Sequence, residues 1–355
     1  MSRFYRFVSS MTFLLVGIST LMAWSPVAAD EASEALSKYR EPVDVAVDKA
    51  LEFLADVQKP DGSFPGQYGD TTAVPALAGM AFLSKGYTPG FGPYGQNINR
   101  SMDYVFANEQ QSGGKPTGYL VRTGTGKMYA HCISTLFLSE VSGMVDPARQ
   151  EKIDQALPRA LTKIITAQEV KKSKPEYKGG WRYQPSSSDA DLSLTGWAVM
   201  ALRSSALNGA PIPETAVEDA VKFILNCRPK NTQGEKGFSY QPFQGGKPAM
   251  TGVGILCLAL CGQHENKMLP RAGEYLLASG VNKRWGGSHF YYTNYYCTQA
   301  MFQLGGSYWD RWATEMYENA LSHQAADGSW GSAYSTAMTV LSLTISYRQL
   351  PVYQR

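Results

Sequence analysis

Two carboxylates one residue apart, Asp189 and Asp191, are the side chains in this sequence whose type and spacing best suit acid chemistry. They sit in residues 179–202, where a glycine pair and an aromatic cluster lead through a polar loop into a long apolar stretch. A carboxyl acts as a strong proton donor when it is dry, held by a hydrogen bond and kept protonated by a second negative charge. On that reading Asp191 is the acid and Asp189 the neighbour that raises its pKa. The same residues, with Ser187 and Ser188, are also the types that start helices, because their oxygens accept from the unpaired N–H groups of a first turn. Either role requires a helix beginning near Ser193.

The stretch that follows is apolar almost all round, which requires burial on every side. Its pattern recurs. Segments beginning near Thr72, Met128, Ser193, Met250, Tyr292 and Ser335 are rich in small and apolar residues, and each follows a Gly-rich loop. Each is preceded by an amphipathic, charged segment, at 43–58, 98–110, 149–168, 214–227, 268–279 and 309–324. Amphipathic helices belong in an outer layer and all-round apolar ones in an inner layer. Open repeat arrays need polar end caps, and neither end of this pattern supplies one. The expected fold is therefore all-α, an (α/α)6 toroid with six inner and six outer helices. Trp181, Trp285 and Trp330 occupy comparable loop positions and are expected to be buried between repeats.

Length and composition fit this picture: 355 residues, 44% hydrophobic and 18% charged, suit a large core. Arg3 and Arg6, an apolar run at 13–23 and the small residues Val27, Ala28 and Ala29 have the layout of a secretory leader. The expected organisation is a signal peptide at 1–29 and a single toroid domain at 30–355, exported to a periplasm or to the medium. Cleavage removes two arginines and no acid from a formal charge of +3, leaving a near-neutral protein without the basic footprint of a nucleic-acid binder. Cys132, Cys257, Cys261 and Cys297 fall on the apolar helices and Cys227 ends an outer one, so buried free thiols are expected rather than a disulfide framework or a metal site.

The loop pattern of a helix-ending Gln followed by Asp-Gly-Ser-Trp/Phe stands here as Gln58…Asp61-Gly62-Ser63-Phe64 and Gln324…Asp327-Gly328-Ser329-Trp330. It resembles the repeats of squalene–hopene cyclases, oxidosqualene cyclases and the β-subunits of protein prenyltransferases, along essentially the whole mature chain. The resemblance implies the same toroid. It does not imply zinc chemistry. In the segment Phe290-Tyr291-Tyr292-Thr293, Tyr292 stands where the prenyltransferases have a zinc-binding His, and Gly237 stands where they have a Cys. Phenol and glycine cannot replace imidazole and thiolate at such a metal. The cyclase acid motif Asp-x-Asp-Asp-Thr is met by Asp189-Ala190-Asp191-Leu192-Ser193, which keeps two of its three aspartates.

Aligning the apolar helices on Thr72, Ala130, Thr195, Thr251, Thr293 and Thr336 puts Ala or Gly at most of the next positions, but His131 and Asn294 at two. With the nearby rings of Tyr129, Trp197, Tyr292, Tyr295 and Tyr296, these are expected to line the mouth of a central cavity. The leading expectation is binding of an apolar, isoprenoid-like ligand or a peptide segment there, without catalysis, metal or cofactor; peripheral contact with a membrane is compatible with it. The alternatives are a terpenoid cyclase-like enzyme using Asp191 and a toroid acting on polysaccharide, for which no convincing second acid stands out on an inner helix.

Overall fold

The computed structural model describes residues 34–353, apart from 67, 123–126, 230–236 and 288. The expected leader at 1–29 lies outside the described residues. Twelve α-helices alternate in character: α1 (Glu34–Val57), α2 (Ala73–Ser84), α3 (Gly95–Ala107), α4 (Met128–Val141), α5 (Pro147–Glu169), α6 (Leu192–Leu207), α7 (Glu214–Asn226), α8 (Pro248–Leu260), α9 (Met268–Ser279), α10 (Phe290–Leu304), α11 (Gly306–Ser322) and α12 (Ala333–Leu343). The even-numbered helices are buried almost throughout, whereas the odd-numbered ones keep a solvated face. Each even helix packs on the next, and α12 packs back on α2, so the inner layer closes into a ring. Outside this ring α11 packs against α1, bridging the first and last repeats. This is the (α/α)6 toroid that the alternation of patterns predicts.

Small residues set the spacing of the inner ring. A Cβ on Gly252 of α8 would lie 2.7 Å from the Cys297 amide nitrogen of α10, so only glycine allows that approach. Glutamines near the ends of the outer helices fasten the repeat loops. The Gln168 amide donates to the Gly179 carbonyl at 2.9 Å and to Ala216 of α7 at 2.8 Å. Gln324 does the same to Gly328 at 2.8 Å and to Ala46 of α1 at 2.7 Å, a bond that helps close the ring. Each thus satisfies a carbonyl in its loop and one on the neighbouring outer helix.

Trp181 and Trp330 are buried, and their indoles donate to Ile164 at 2.7 Å and Ala320 at 2.8 Å. Their backbone amides donate to the threonines Thr195 and Thr336 of the following inner helix. Trp285 differs from the expectation. It is only half-buried and stacks on His323 at 4.6 Å. The third equivalent residue is Phe238, fully buried, with its amide bonded to Thr251 at 3.0 Å. Between α3 and α4, where a Gly/Pro-rich loop is expected, a hairpin forms from β1 (Glu109–Ser112) and β2 (Lys115–Leu120). Gly113 and Gly114, at φ +56° and +74°, make its turn. No helix among the described residues is long and apolar enough to cross a membrane.

Candidate functional site at the mouth and axis of the ring

The first turns of α4, α6 and α10 converge across the interior of the ring. Ser193 Oγ lies 2.6 Å from the Tyr129 hydroxyl and 2.7 Å from the Tyr292 hydroxyl. Since α8 separates α6 from α10 around the ring, a direct contact between those two helices must span the mouth. Burial, reinforced by the negative charge of Asp191, pushes the Tyr129 and Tyr292 phenols far above their ordinary range, so both stay neutral. Below them Trp197 stacks on Tyr295 at 5.6 Å, and Tyr296 packs edge-on to both and against Tyr292 at 4.9 Å. Trp197, Tyr295 and Tyr296 are buried, so the axis of the ring is filled with aromatic side chains. The Tyr296 hydroxyl and Asn294 Oδ1 are buried without a hydrogen-bond partner among the described residues.

Asp191 begins α6. Its Oδ1 accepts from the Leu194 amide at 2.9 Å, a helix cap, and its Oδ2 accepts from Arg182 Nη1 at 2.7 Å. The same guanidinium reaches Asp189 through Nε at 3.1 Å and Tyr240 through Nη1 at 2.6 Å. Its carbon lies 4.3 Å above the Tyr183 ring, and the Tyr183 and Tyr240 hydroxyls are bonded to each other. Burial pushes the Asp191 carboxyl upward, against the pull of the Leu194 amide and Arg182, while its contact with Asp191 holds Arg182 above its ordinary value. The result is a capped, ion-paired carboxylate whose two oxygens both accept. Asp189 does not act on Asp191 as a bare like charge, because Arg182 lies between them. This geometry works against the proton-donor role considered for Asp191 and Asp189.

His131 does not join the mouth. Its Nδ1 accepts from the Leu120 amide at 3.2 Å, and its Nε2 donates to the Ala160 carbonyl of α5 at 3.2 Å. The ring is fully buried between β2 and the outer layer, and burial pulls its pKa down to about 3. The expectation that it lines the cavity is corrected: the imidazole satisfies a strand amide and a helix carbonyl. Arg182, Tyr183 and Tyr240 were not singled out from the sequence, although a signal existed. Tyr183-Gln184-Pro185 and Tyr240-Gln241-Pro242 are the same tripeptide in two successive repeats, and it is their tyrosines that pair.

The far end of the ring is closed by the chain itself. After α12 the segment Pro351–Tyr353 turns inward. The Val352 amide donates to Glu140 Oε1 at 3.2 Å, Ser204 donates to the same carboxyl, and the Tyr353 hydroxyl meets that of Tyr295. Burial pushes the Glu140 carboxyl up to about 7. A separate hollow of about 460 Å³ opens on the outer surface beside α5 and α7, where Lys178 pairs with Asp219 and Lys172 donates to backbone carbonyls. All five cysteines are free. Among the described residues no cluster of three or more His, Cys, Asp or Glu could hold a metal ion.

No family model and no curated protein matches the chain. Solved structures do. A type II terpene cyclase from Scytonema, in complex with its product merosterolic acid A, superposes with a TM-score of 0.57 at 13% identity, covering 89% of this chain and 100% of the other. The same cyclase with its substrate geranylgeranyl dihydroxybenzoate gives 0.54 at 14%, with the same coverage. An inactive variant of an α-1,6-mannanase from Salegentibacter sp. HEL1_6, in complex with α-1,6-mannotetrose, gives 0.60 at 12%, covering 85% and 98%. Both neighbours are α/α toroids, and identities this low establish the shared fold alone. The chain is an α/α toroid of the architecture used by terpene cyclases and glycoside hydrolases.

Proposed function

We propose that this protein is an exported ligand-binding toroid, related in function to the squalene cyclase and prenyltransferase repeat proteins by its apolar ligand rather than by their chemistry. The ligand is an isoprenoid-like amphiphile. Its polar head meets the Tyr129, Ser193 and Tyr292 hydroxyls, and its apolar body enters by displacing part of the Trp197, Tyr295 and Tyr296 cluster that fills the axis. The observation that carries this reading is electrostatic. Of the ionisable groups at the mouth, Asp191 is paired with Arg182, and Tyr129 and Tyr292 are held neutral. Neither a strong acid nor an activated nucleophile is poised there, whereas neutral donors over an aromatic floor suit recognition. The Scytonema neighbour takes a geranylgeranyl chain on an aromatic head, which makes geranylgeraniol a reasonable first probe.

The test incubates the protein with geranylgeraniol and with squalene, follows tryptophan fluorescence for binding, and examines the extract by mass spectrometry. The expected result is saturable binding of geranylgeraniol, weakened by Tyr292→Phe, with both compounds recovered unchanged. Cyclic products lost in Asp191→Asn would replace this reading with a cyclase. Binding of mannooligosaccharides in place of the isoprenoid would replace it with a glycan-binding toroid.

A further inference from the structure

The hollow of about 460 Å³ beside α5 and α7 has room for a small ligand, and its rim is basic. Lys171, Lys172, Lys174 and Lys178 line it, against the carboxylates Glu169 and Asp219. Asp219 is already shared, by Lys178 at 3.1 Å and by Lys222 of its own helix at 3.1 Å. Lys171, Lys172 and Lys174 form no ion pair among the described residues. Lys172 stands apart from the other two. Its side chain is part-buried, and its ammonium donates to the Ala167 and Ser187 carbonyls, each at 3.3 Å. The Ala167 bond caps the end of α5 and so holds the amine in place. An ammonium has three N–H donors, which leaves one for the hollow that Lys172 lines. Burial pulls its pKa below the ordinary value, against the pull of Asp189. A part-buried cation without a counter-ion is unfavourable, and an anion in the hollow relieves it. The frame around the amine is fixed. The Ser173 amide donates to the Ser188 carbonyl at 2.7 Å. Gly179, at φ +86°, passes so close to α7 that a Cβ there would lie 1.9 Å from the Asp219 carbonyl oxygen.

We infer that this hollow binds a phosphate monoester with a small polar body, its phosphate on Lys172 with Lys171, Lys174 and Lys178 around it. Three ammoniums without carboxylate partners favour a dianion over a single charge, and a phosphate monoester carries close to two charges at pH 7. Lysine serves a phosphate as a point charge and needs no bidentate geometry. The volume lies within the range of pockets that enclose small organic ligands, so the ester's body has space beside its phosphate. None of the residues lining the hollow is at the mouth, and the site is independent of the amphiphile proposed there.

Titration calorimetry at low ionic strength compares glucose 6-phosphate with glucose. The proteins are the parent, Lys172→Gln, a double variant carrying Lys171→Gln and Lys174→Gln, and Lys222→Gln. Glucose 6-phosphate should bind saturably and glucose should not. Lys172→Gln should weaken binding by about tenfold through loss of one charged contact. The double variant removes two exposed charges and should weaken it by about threefold. Lys222→Gln, whose amine does not line the hollow, should change it by less than about twofold. Vesicles of phosphatidylcholine containing phosphatidic acid distinguish the source of the phosphate. If they displace glucose 6-phosphate the site takes a lipid headgroup, and if they do not it takes a soluble ester. No binding of glucose 6-phosphate, or equal affinity in the parent, Lys172→Gln and the double variant, overturns the site. Should Lys172→Gln fail to fold because α5 loses its cap, the double variant decides the question.

Discussion

Arg182 Nη1 lies 2.7 Å from Oδ2 of Asp191, and the same guanidinium holds Asp189 through Nε at 3.1 Å. This pairing converts the most acid-like motif in the sequence into a structural joint. The Asp191 amide donates to the Trp181 carbonyl at 2.9 Å, which sets the Trp181–Tyr183 stretch beside the start of α6 and aims Arg182 at the carboxylate. One carboxyl thus caps a buried helix and anchors the loop in front of it.

Arg182→Ala is expected to destabilise the fold by about 3 kcal/mol, because it leaves the fully buried Asp191 carboxyl without its counter-charge. Arg182→Lys should recover only part of that loss, since one ammonium cannot serve Asp189, Asp191 and Tyr240 with the geometry of a guanidinium. Urea denaturation of the three proteins checks this. A loss below about 0.5 kcal/mol for Arg182→Ala would mean that the pair is incidental.

Two buried groups give opposite pH dependences. Glu140 is raised from 4.5 to about 7, so its contribution is fully present below 4.5 and is lost as pH rises towards 7. His131 is lowered from 6.5 to about 3 and is neutral in the fold; its contribution is present above 6.5 and is lost as pH falls below that value. Between pH 4.5 and 6.5 the two slopes, each up to about 1.4 kcal/mol per pH unit, oppose each other. The contributions of these two groups should therefore largely cancel in that window. Glu140→Gln should make stability rise with pH there, and His131→Gln should make it fall. Melting temperatures at several pH values test all three curves, and a flat curve for Glu140→Gln would refute the assignment.

His131→Ala should cost about 2–3 kcal/mol, because it strands the buried Leu120 amide and Ala160 carbonyl. Ligand affinity at the mouth should not change. The reverse outcome, intact stability with weakened binding, would return His131 to the cavity.

Trp330→Ala and Phe238→Ala should each cost about 3–5 kcal/mol, since both rings are buried within the repeat hook. Trp285→Ala should cost markedly less, because its half-buried ring stacks on the exposed His323. Thermal melts of the three variants would show the order, and equal losses for Trp285→Ala and Trp330→Ala would restore the equivalence expected of those two tryptophans.

The alternation of amphipathic and all-apolar segments, the closing of the repeats and the Gln–Gly–aromatic hook were legible in the sequence. They depend on local periodicity and on short spacings, and each helix must bury its apolar surface whatever its neighbours are. The capping role open to Asp191 was legible for the same reason, since a cap is made with the residues that follow it. The Gly113-Gly114 turn was also written locally, and the hairpin it closes could have been expected. Other features depended on which residues the ring brings together across its interior. Ser193 meets Tyr292 from 99 positions away, and Val352 meets Glu140 from 212. No periodicity encodes such pairs, and a small rotation of an inner helix decides whether a side chain such as His131 faces the axis or the outer layer. Only the tertiary structure could therefore give Asp191 its partner, turn His131 outward and place the chain's own Tyr353 against Tyr295 at the centre.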